Sequence, residues 1–272
     1  MFHSDLHHPA KRIDTKQYRV YLTMSKPHLS GSKTVIFGAT GGIGRAIAVD
    51  LAHNGKAVHL AGRDADALKA LADEISAPYT VFDALDTGSI NSVIAEATSD
   101  EPVDGLVWAV GSILLKPLSH LSDEDFLTTY HLNVVAPAMA VKAASGSLKS
   151  SNGSVLLFSS VAATQGFSAH AAIGPAKAAV EGLTRSLAAE LAPDVRVNAI
   201  APSLSETKMA EFLTSNSVLA KGIAAAHALP RLGQPSDFIA LSRLLLDNKT
   251  GGWISGAIMP VDGGRGTLRT KG

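Results

Sequence analysis

The apolar run Thr34–Phe37 passes without a break into Gly38-Ala39-Thr40-Gly41-Gly42-Ile43-Gly44, and no other stretch limits the fold so tightly. A short apolar run bounded by glycine is expected to be a buried strand. Beyond the glycines, Ile43, Ile47 and Leu51 recur at four-residue spacing, which predicts a helix over Ile43–Asn54 stopped by Gly55. A strand that turns directly into a helix cannot pair with its successor through a hairpin. The next strand must return beside it in parallel, by a right-handed crossover.

The alternation continues along the chain. Strands are expected at Ala57–Ala61, Tyr79–Phe82, Gly105–Val110, Ser154–Ser159, Val195–Ile200 and Ala257–Val261. Helices are predicted over Ala65–Ile75 (with Asp64 as N-cap), Gly88–Thr98, Ser122–Ala144 and His170–Leu191, the last ended by Pro193. Helical segments follow around Thr207–Ala226 and Pro235–Asp247. This is the pattern of an α/β fold, a Rossmann-type doubly wound parallel sheet of about seven strands flanked by helices. No linker, repeat or low-complexity block divides Lys33 from Gly264, so residues 33–272 are read as one domain with a substrate lid at 204–229. Residues 1–32 are polar, aperiodic and without a signal-peptide core. They are expected to be a flexible extension, with Met24 as an alternative start and His3, His7 and His8 solvated rather than metal-bound.

Composition excludes several functions. Lys+Arg and Asp+Glu balance at 24 each, so there is no net charge to draw nucleic acid or an anionic membrane. With 0 cysteines, thiol catalysis, disulfides and Cys-ligated zinc are ruled out, in keeping with a cytoplasmic protein. No apolar stretch reaches the roughly 20 residues that span a bilayer.

The glycines carry the first functional signal. Gly38 permits a tight turn, Gly42 lets backbone approach a pyrophosphate, and Gly44 lets the helix pack close to the sheet. The helix N-terminus then offers free N–H groups to phosphates, with Thr40 and Ile43 in the loop. A plain loop is the alternative for any glycine cluster, but here the strand and helix flank it. At the tip of the second strand, Gly62 is followed by Arg63, a residue suited to a 2′-phosphate; NADP is therefore favoured and NAD placed second. A solvated Arg63 is the alternative. Asp83, after the third strand, is a candidate for the adenine amino group or a simple turn aspartate.

With these residues in place, the chain resembles the short-chain dehydrogenase/reductase family in its classical form, over roughly Lys33–Gly264. Gly38, Gly42 and Gly44 match its TGxxxGxG motif, with Phe37 in place of the leading threonine. Asn133 matches the asparagine that anchors a catalytic water, Ser160 the substrate-orienting serine, and Lys177 the ribose-binding lysine. Pro202 to Thr207 matches the segment that contacts the nicotinamide amide, with Ser203 where glycine is usual. Of the Asn-Asn-Ala-Gly that walls the adenine pocket, Trp108-Ala109-Val110-Gly111 keeps only Gly111. The resemblance implies an NADP(H)-dependent oxidoreductase acting on a carbonyl or alcohol, and a homodimer or homotetramer joined through the two long alanine-rich helices. Ala136, Ala140, Ala143 and Ala144 are expected to allow that approach. A buried structural role is the alternative for Asn133, a plain strand-end serine for Ser160, and an exposed helix lysine for Lys177.

One position breaks the resemblance. The family's Tyr-x-x-x-Lys places a phenol four residues before the lysine, where this chain has Ile173; counting from Ser160 gives the same position. Carbonyl reduction needs a hydride and a proton, and isoleucine supplies none. Loss of a general acid costs about 10²–10⁴-fold. His170, read as two helical turns before Lys177, is the candidate substitute, with a solvent-facing histidine as the alternative. His131 is a weaker candidate, and Tyr130 is expected to pack between helices. A dinucleotide-binding sensor, scaffold or subunit without turnover is the competing function. A lyase or dehalogenase without cofactor is disfavoured by the intact glycine loop. Met209, Phe212, Leu213, Leu219 and Ile223 point to an apolar lid, or to ordinary core packing.

Overall fold

The computed structural model describes residues 31–269. Its strands are β1 (Lys33–Phe37), β2 (Ala57–Gly62), β3 (Tyr79–Val81), β4 (Val103–Trp108), β5 (Ser154–Phe158), β6 (Arg196–Pro202) and β7 (Ile258–Val261). They form one 7-stranded sheet in the order β3-β2-β1-β4-β5-β6-β7. Every neighbouring pair is parallel.

Strand pleating distributes the core. Val35, Phe37, Leu106, Trp108, Val155 and Leu157 enter one buried cluster, while Ile36, Val107 and Leu156 enter another. Successive side chains of a strand face opposite sides, so both faces of this sheet are covered, as parallel sheets require. Phe37, Phe82 and Trp108 stack within the first cluster, with ring centres 4.9 Å apart for Phe37–Trp108 and 5.1 Å for Phe37–Phe82.

The helices are α1 (Gly42–His53), α2 (Ala65–Ile75), α3 (Thr87–Ala97), α4 (Asp123–Tyr130), α5 (Ala136–Ser150) and α6 (Ile173–Leu191), then α7 (Glu211–Thr214), α8 (Ser217–Ala225), α9 (Ile239–Leu246) and α10 (Asn248–Gly251). Asp64 caps α2 as expected, accepting from Ala67 N at 3.1 Å. Most boundaries lie within two residues of expectation.

Three segments differ. The helix expected over Ser122–Ala144 is two helices joined by a π turn at His131–Val135, and it runs on to Ser150. Ser122 and Asp125 form a capping box at its start. In the π turn the Ala136 N–H reaches the His131 carbonyl, five residues back. The helix expected from His170 begins at Ile173. Gly174 N donates to the His170 carbonyl at 2.8 Å, but Pro175 has no N–H for the Ala171 carbonyl and Ala169 is left-handed with φ 63°, so His170 only closes the start of the helix and the regular turn begins at Ile173. The lid is a chain of short pieces, because Asn216 caps α8 through Val218 N and Leu219 N at 3.1 Å and so ends α7 before it.

The N-terminal extension falls outside the described residues up to 30; Ser32 is held, donating to Asp104 Oδ2 at 2.6 Å. No helix among the described residues is long and apolar enough to cross a membrane. Of the four alanines expected at a subunit interface, Ala136, Ala140 and Ala144 are fully buried in the chain's own core, and only Ala143 is exposed.

Candidate active site

The strand order reverses between β1 and β4, the position where open parallel sheets leave a crevice at their carboxyl ends. The loop after β1 and the loop after β4 meet there. Gly38 has φ 80°, and a Cβ on it would stand 2.8 Å from both the carbonyl carbon and oxygen of Ala109. No other residue fits this position. A Cβ on Gly44 would meet Ala109 Cβ at 3.3 Å as well as the Gly38 backbone. The α1 N-cap, Gly41, offers no side-chain cap, which leaves the first amides of α1 free to face an anion.

Thr207, after β6, lies directly across the glycine turn. Its Cγ2 is 2.8 Å from where a Gly42 Cβ would be, with Pro235 Cγ at 3.5 Å. Pro202 is the last residue of β6, and Ser203 behind it is tied to the buried His227 by an Oγ···Nε2 contact of 2.8 Å. Thr40 lies by the tip of β2, its Oγ1 3.4 Å from a would-be Gly62 Cβ. Arg63 follows there, exposed, and Ile43 packs partly into the core. Asp83 is exposed and braces its own turn, its Oδ1 accepting from Leu85 N at 2.9 Å. A carboxylate has a second oxygen, so this bond is compatible with either reading of Asp83.

Beyond the glycine turn lies a second cluster. Asn133, 2% exposed, donates through Nδ2 to the Thr129 carbonyl at 2.8 Å, while its Oδ1 is buried without a partner. The π turn carries this side chain. Lys177, on the second turn of α6, donates to the Phe158 carbonyl at 2.9 Å. Burial of that ammonium lowers its pKa to about 8. Gly111 lies between the two: its missing Cβ would be 3.4 Å from Asn133 Oδ1 and 3.6 Å from Lys177 Nζ. Ser160 accepts from Ala162 N at 3.1 Å and caps the short turn Val161–Ala163, so its hydroxyl proton is left to donate. Ile173, 5% exposed, packs at the first position of α6.

His170 is not on the helix, as the spacing predicted, but in the loop before it. Its Nδ1 lies 2.7 Å from the Ser168 carbonyl, so Nδ1 carries the proton and Nε2 is the nitrogen available for exchange. The ring lines an open cleft of about 620 Å³ formed by the loops at 117–118 and 162–171. His131 opens the π turn with a buried, unpartnered Nε2. Tyr130, expected to pack between helices, is the last residue of α4 and is 48% exposed instead.

A family model described as enoyl-(acyl carrier protein) reductase matches residues 38–265. An uncharacterized oxidoreductase of Mycobacterium tuberculosis is 34% identical over 244 residues, 87% of this chain and 92% of that protein. A solved Brucella melitensis short-chain dehydrogenase/reductase (glucose/ribitol dehydrogenase) superposes with a TM-score of 0.80 at 30% identity, covering 86% of this chain and 96% of its own. The chain belongs to the short-chain dehydrogenase/reductase family. A further family structure, from Beutenbergia cavernae and with NADP at low occupancy, has a TM-score of 0.82 at 31% identity, covering 87% and 97%. The family's relatives here are oxidoreductases, and the fold is theirs.

Two participants were missed in the sequence. The Phe158 carbonyl holds Lys177, and Ser159 bonds both the Lys177 carbonyl at 3.1 Å and Glu181 Oε1 at 3.0 Å. A backbone acceptor is invisible to motif reading. The doubled serine was visible, but not that its first member would brace α6.

Proposed function

We propose that this chain is an NADP(H)-dependent oxidoreductase that interconverts a carbonyl and an alcohol with a proton donor other than tyrosine. The observation that carries the reading is the convergence of Asn133 Oδ1 and Lys177 Nζ on the space above Gly111. The crevice fits a dinucleotide: Gly38 takes the positive φ that lets the turn pack against Ala109, Gly41 leaves the first amides of α1 without a side-chain cap, and the buried Asn133 Oδ1 has no partner. Gly38, Thr40, Gly42, Ile43 and Gly44 would hold the phosphates, Pro202 and Thr207 the nicotinamide end, and Gly111 the adenosine wall. Arg63 supports NADP over NAD, since it is exposed beside the tip of β2. When bound, the nicotinamide supplies or accepts the hydride.

This chain's residues then handle orientation and the proton. Ser160 donates its hydroxyl hydrogen to the substrate oxygen. Lys177, with a pKa of about 8, binds a ribose hydroxyl while charged and exchanges a proton near neutrality. Asn133 Oδ1 accepts from a water in the gap over Gly111. We infer that Ile173 stands where the family's tyrosine would, and that His170 Nε2 or water delivers the final proton. Residues 33–272 act as one cofactor-binding domain with 204–229 as lid, in the cytoplasm. Phe126, Leu127 and Tyr130 of α4 are 39%, 66% and 48% exposed, which supports self-association as a homodimer or homotetramer. Sedimentation checks that, and a monomer would contradict it.

A second reading, dinucleotide binding without turnover, is favoured by the burial of Ile173, which leaves an apolar group at the reactive centre. One experiment separates the two. Thermal shifts with NADPH and NADH are followed by ketone reduction with wild type, Ile173→Tyr and His170→Ala. The oxidoreductase reading expects NADPH to stabilise more than NADH, measurable wild-type turnover, a loss in His170→Ala, and a gain of about 10²-fold or more in Ile173→Tyr. Binding without turnover supports the second reading. No stabilisation by either dinucleotide rejects both.

A further inference from the structure

Arg265 lies in the turn after β7, and its guanidinium carbon stands 5.0 Å from the centre of the Phe167 ring. That ring is 5.2 Å, centre to centre, from the imidazole of His170. Phe167 and His170 belong to the loop from Ser160 to Ile173, and both line the open cleft. A cation from the turn after β7 thus stands over an aromatic ring that, with the neighbouring imidazole, belongs to the segment linking the candidate substrate-orienting serine to the helix of Lys177.

Among the described residues the cation meets no protein anion. The carboxylate nearest in sequence, Asp262, is 8% exposed and is spent on its own turn, accepting from Gly264 N and Gly266 N at 2.8 Å each. Among the described residues Arg265 enters no ion pair. The 160–173 loop contains no Asp or Glu, and neither does the 109–120 loop across the cleft. Partial burial lowers the guanidinium pKa, which marks a charge withdrawn from water without compensation. The turn is also fixed in place, because Gln165 Nε2 donates to the Gly266 carbonyl at 2.8 Å. A planar fork, stacked on an aromatic face and held by its backbone, is pre-organised to bind a carboxylate or phosphate.

We propose that Arg265, stacked on the Phe167 ring that also packs against His170, binds an anionic group, carboxylate or phosphate, carried by the substrate. The proposal deepens the oxidoreductase reading and rests on it, since it makes the substrate an anionic carbonyl compound or its alcohol.

The test is equilibrium binding to protein saturated with NADPH, in two matched pairs. Levulinate is compared with methyl levulinate, and dihydroxyacetone phosphate with dihydroxyacetone. At least one anion is expected to bind about tenfold or more tightly than its neutral partner, as a charge-assisted hydrogen bond supplies. Which pair discriminates names the carboxylate or the phosphate as the group recognised. Arg265→Gln should abolish the preference, and Arg265→Lys should retain only part of it, because the point charge survives and the fork does not. Equal binding within both pairs, or a preference unchanged in Arg265→Gln, overturns the proposal. NADPH titration of each protein is run alongside. Failure to bind NADPH counts against the oxidoreductase reading, whereas loss of anion preference with NADPH binding intact bears on Arg265 alone.

Discussion

Two glycines of the crevice do different work, and a methyl group tells them apart. At Gly38 a Cβ would stand 2.8 Å from Ala109 backbone, on a φ of 80° that no side chain adopts without strain. Gly38→Ala is expected to cost about 2–3 kcal/mol in urea unfolding and to abolish NADPH binding. At Gly111 the same methyl meets Asn133 Oδ1 and Lys177 Nζ at 3.4 and 3.6 Å, ordinary contact. Gly111→Ala should unfold within about 1 kcal/mol of wild type, while displacing whatever water joins those two groups and lowering turnover. Lys177 adds a pH dependence. Its pKa is depressed to about 8, so its charge is present below that pH and lost above it. NADPH affinity should therefore fall between pH 7 and 9, and Lys177→Arg, charged throughout, should flatten the fall; identical profiles would remove Lys177 from ribose binding. Gly38, Gly42 and Gly44 were legible in the sequence because a glycine's use is local. The role of Gly111 was only half legible: the motif placed it at the adenine wall, but its neighbours come from 22 and 66 residues downstream on two other helices.

At the scale of elements, periodicity located every strand and most helices, and it failed where one backbone hydrogen bond changed partner. In the helix that carries Asn133, the Ala136 N–H bonds five residues back instead of four. Such a π turn inserts one residue and shifts the apolar repeat by a single position, too small a break to separate two helices in the sequence. Asn133 is bound into this turn through Thr129 O, at a site 2% exposed. Asn133→Ala leaves that buried carbonyl without its side-chain partner and should destabilise the protein by about 1–2 kcal/mol, measured by urea unfolding. Asn133→Asp keeps the volume but loses the donor, and should cost at least as much. A change under about 0.3 kcal/mol in both would show that the turn holds itself. The misplacement of His170 has the same origin in a single bond. The run AHAAIGPAKAA has no polar cap to mark a start, and alanine favours a helix throughout. Pro175 interrupts the ladder by withholding an N–H from the Ala171 carbonyl, while Gly174 N still reaches the His170 carbonyl, and that position, taken within a helix from His170, is in the first turn.

Across the whole molecule, the most exposed weakness to acid lies far from the crevice, at the β3 edge of the sheet. His59 of β2 is 3% exposed, and its Nε2 lies 2.8 Å from Thr80 Oγ1 of β3. Thr80 donates in turn to Glu96 Oε2 of α3 at 2.5 Å, so the hydroxyl must accept from His59 and the imidazole is neutral with its proton on Nε2. Nδ1 is then a buried acceptor without a partner. Protonating it would place a second N–H where nothing accepts, and burial lowers the His59 pKa from 6.5 to about 4, with the nearby Lys33 charge adding to the effect. Between pH 6.5 and 4 the unfolded chain binds this proton and the folded chain does not, so stability is full above 6.5 and declines as pH falls toward 4. The shift corresponds to a loss of about 3 kcal/mol. Carboxylates that pair in the folded state contribute their own losses at lower pH, so the contribution of His59 must be read by difference. Urea unfolding of wild type and His59→Gln at pH 7.5, 6, 5 and 4.5 provides it. The variant, which retains a donor to Thr80 but cannot titrate, should be the less stable protein at pH 7.5 and should lose less between pH 6.5 and 4.5. Parallel curves would mean that the protonated ring finds an acceptor after the edge strand yields, and that β3 gives way locally before the sheet does.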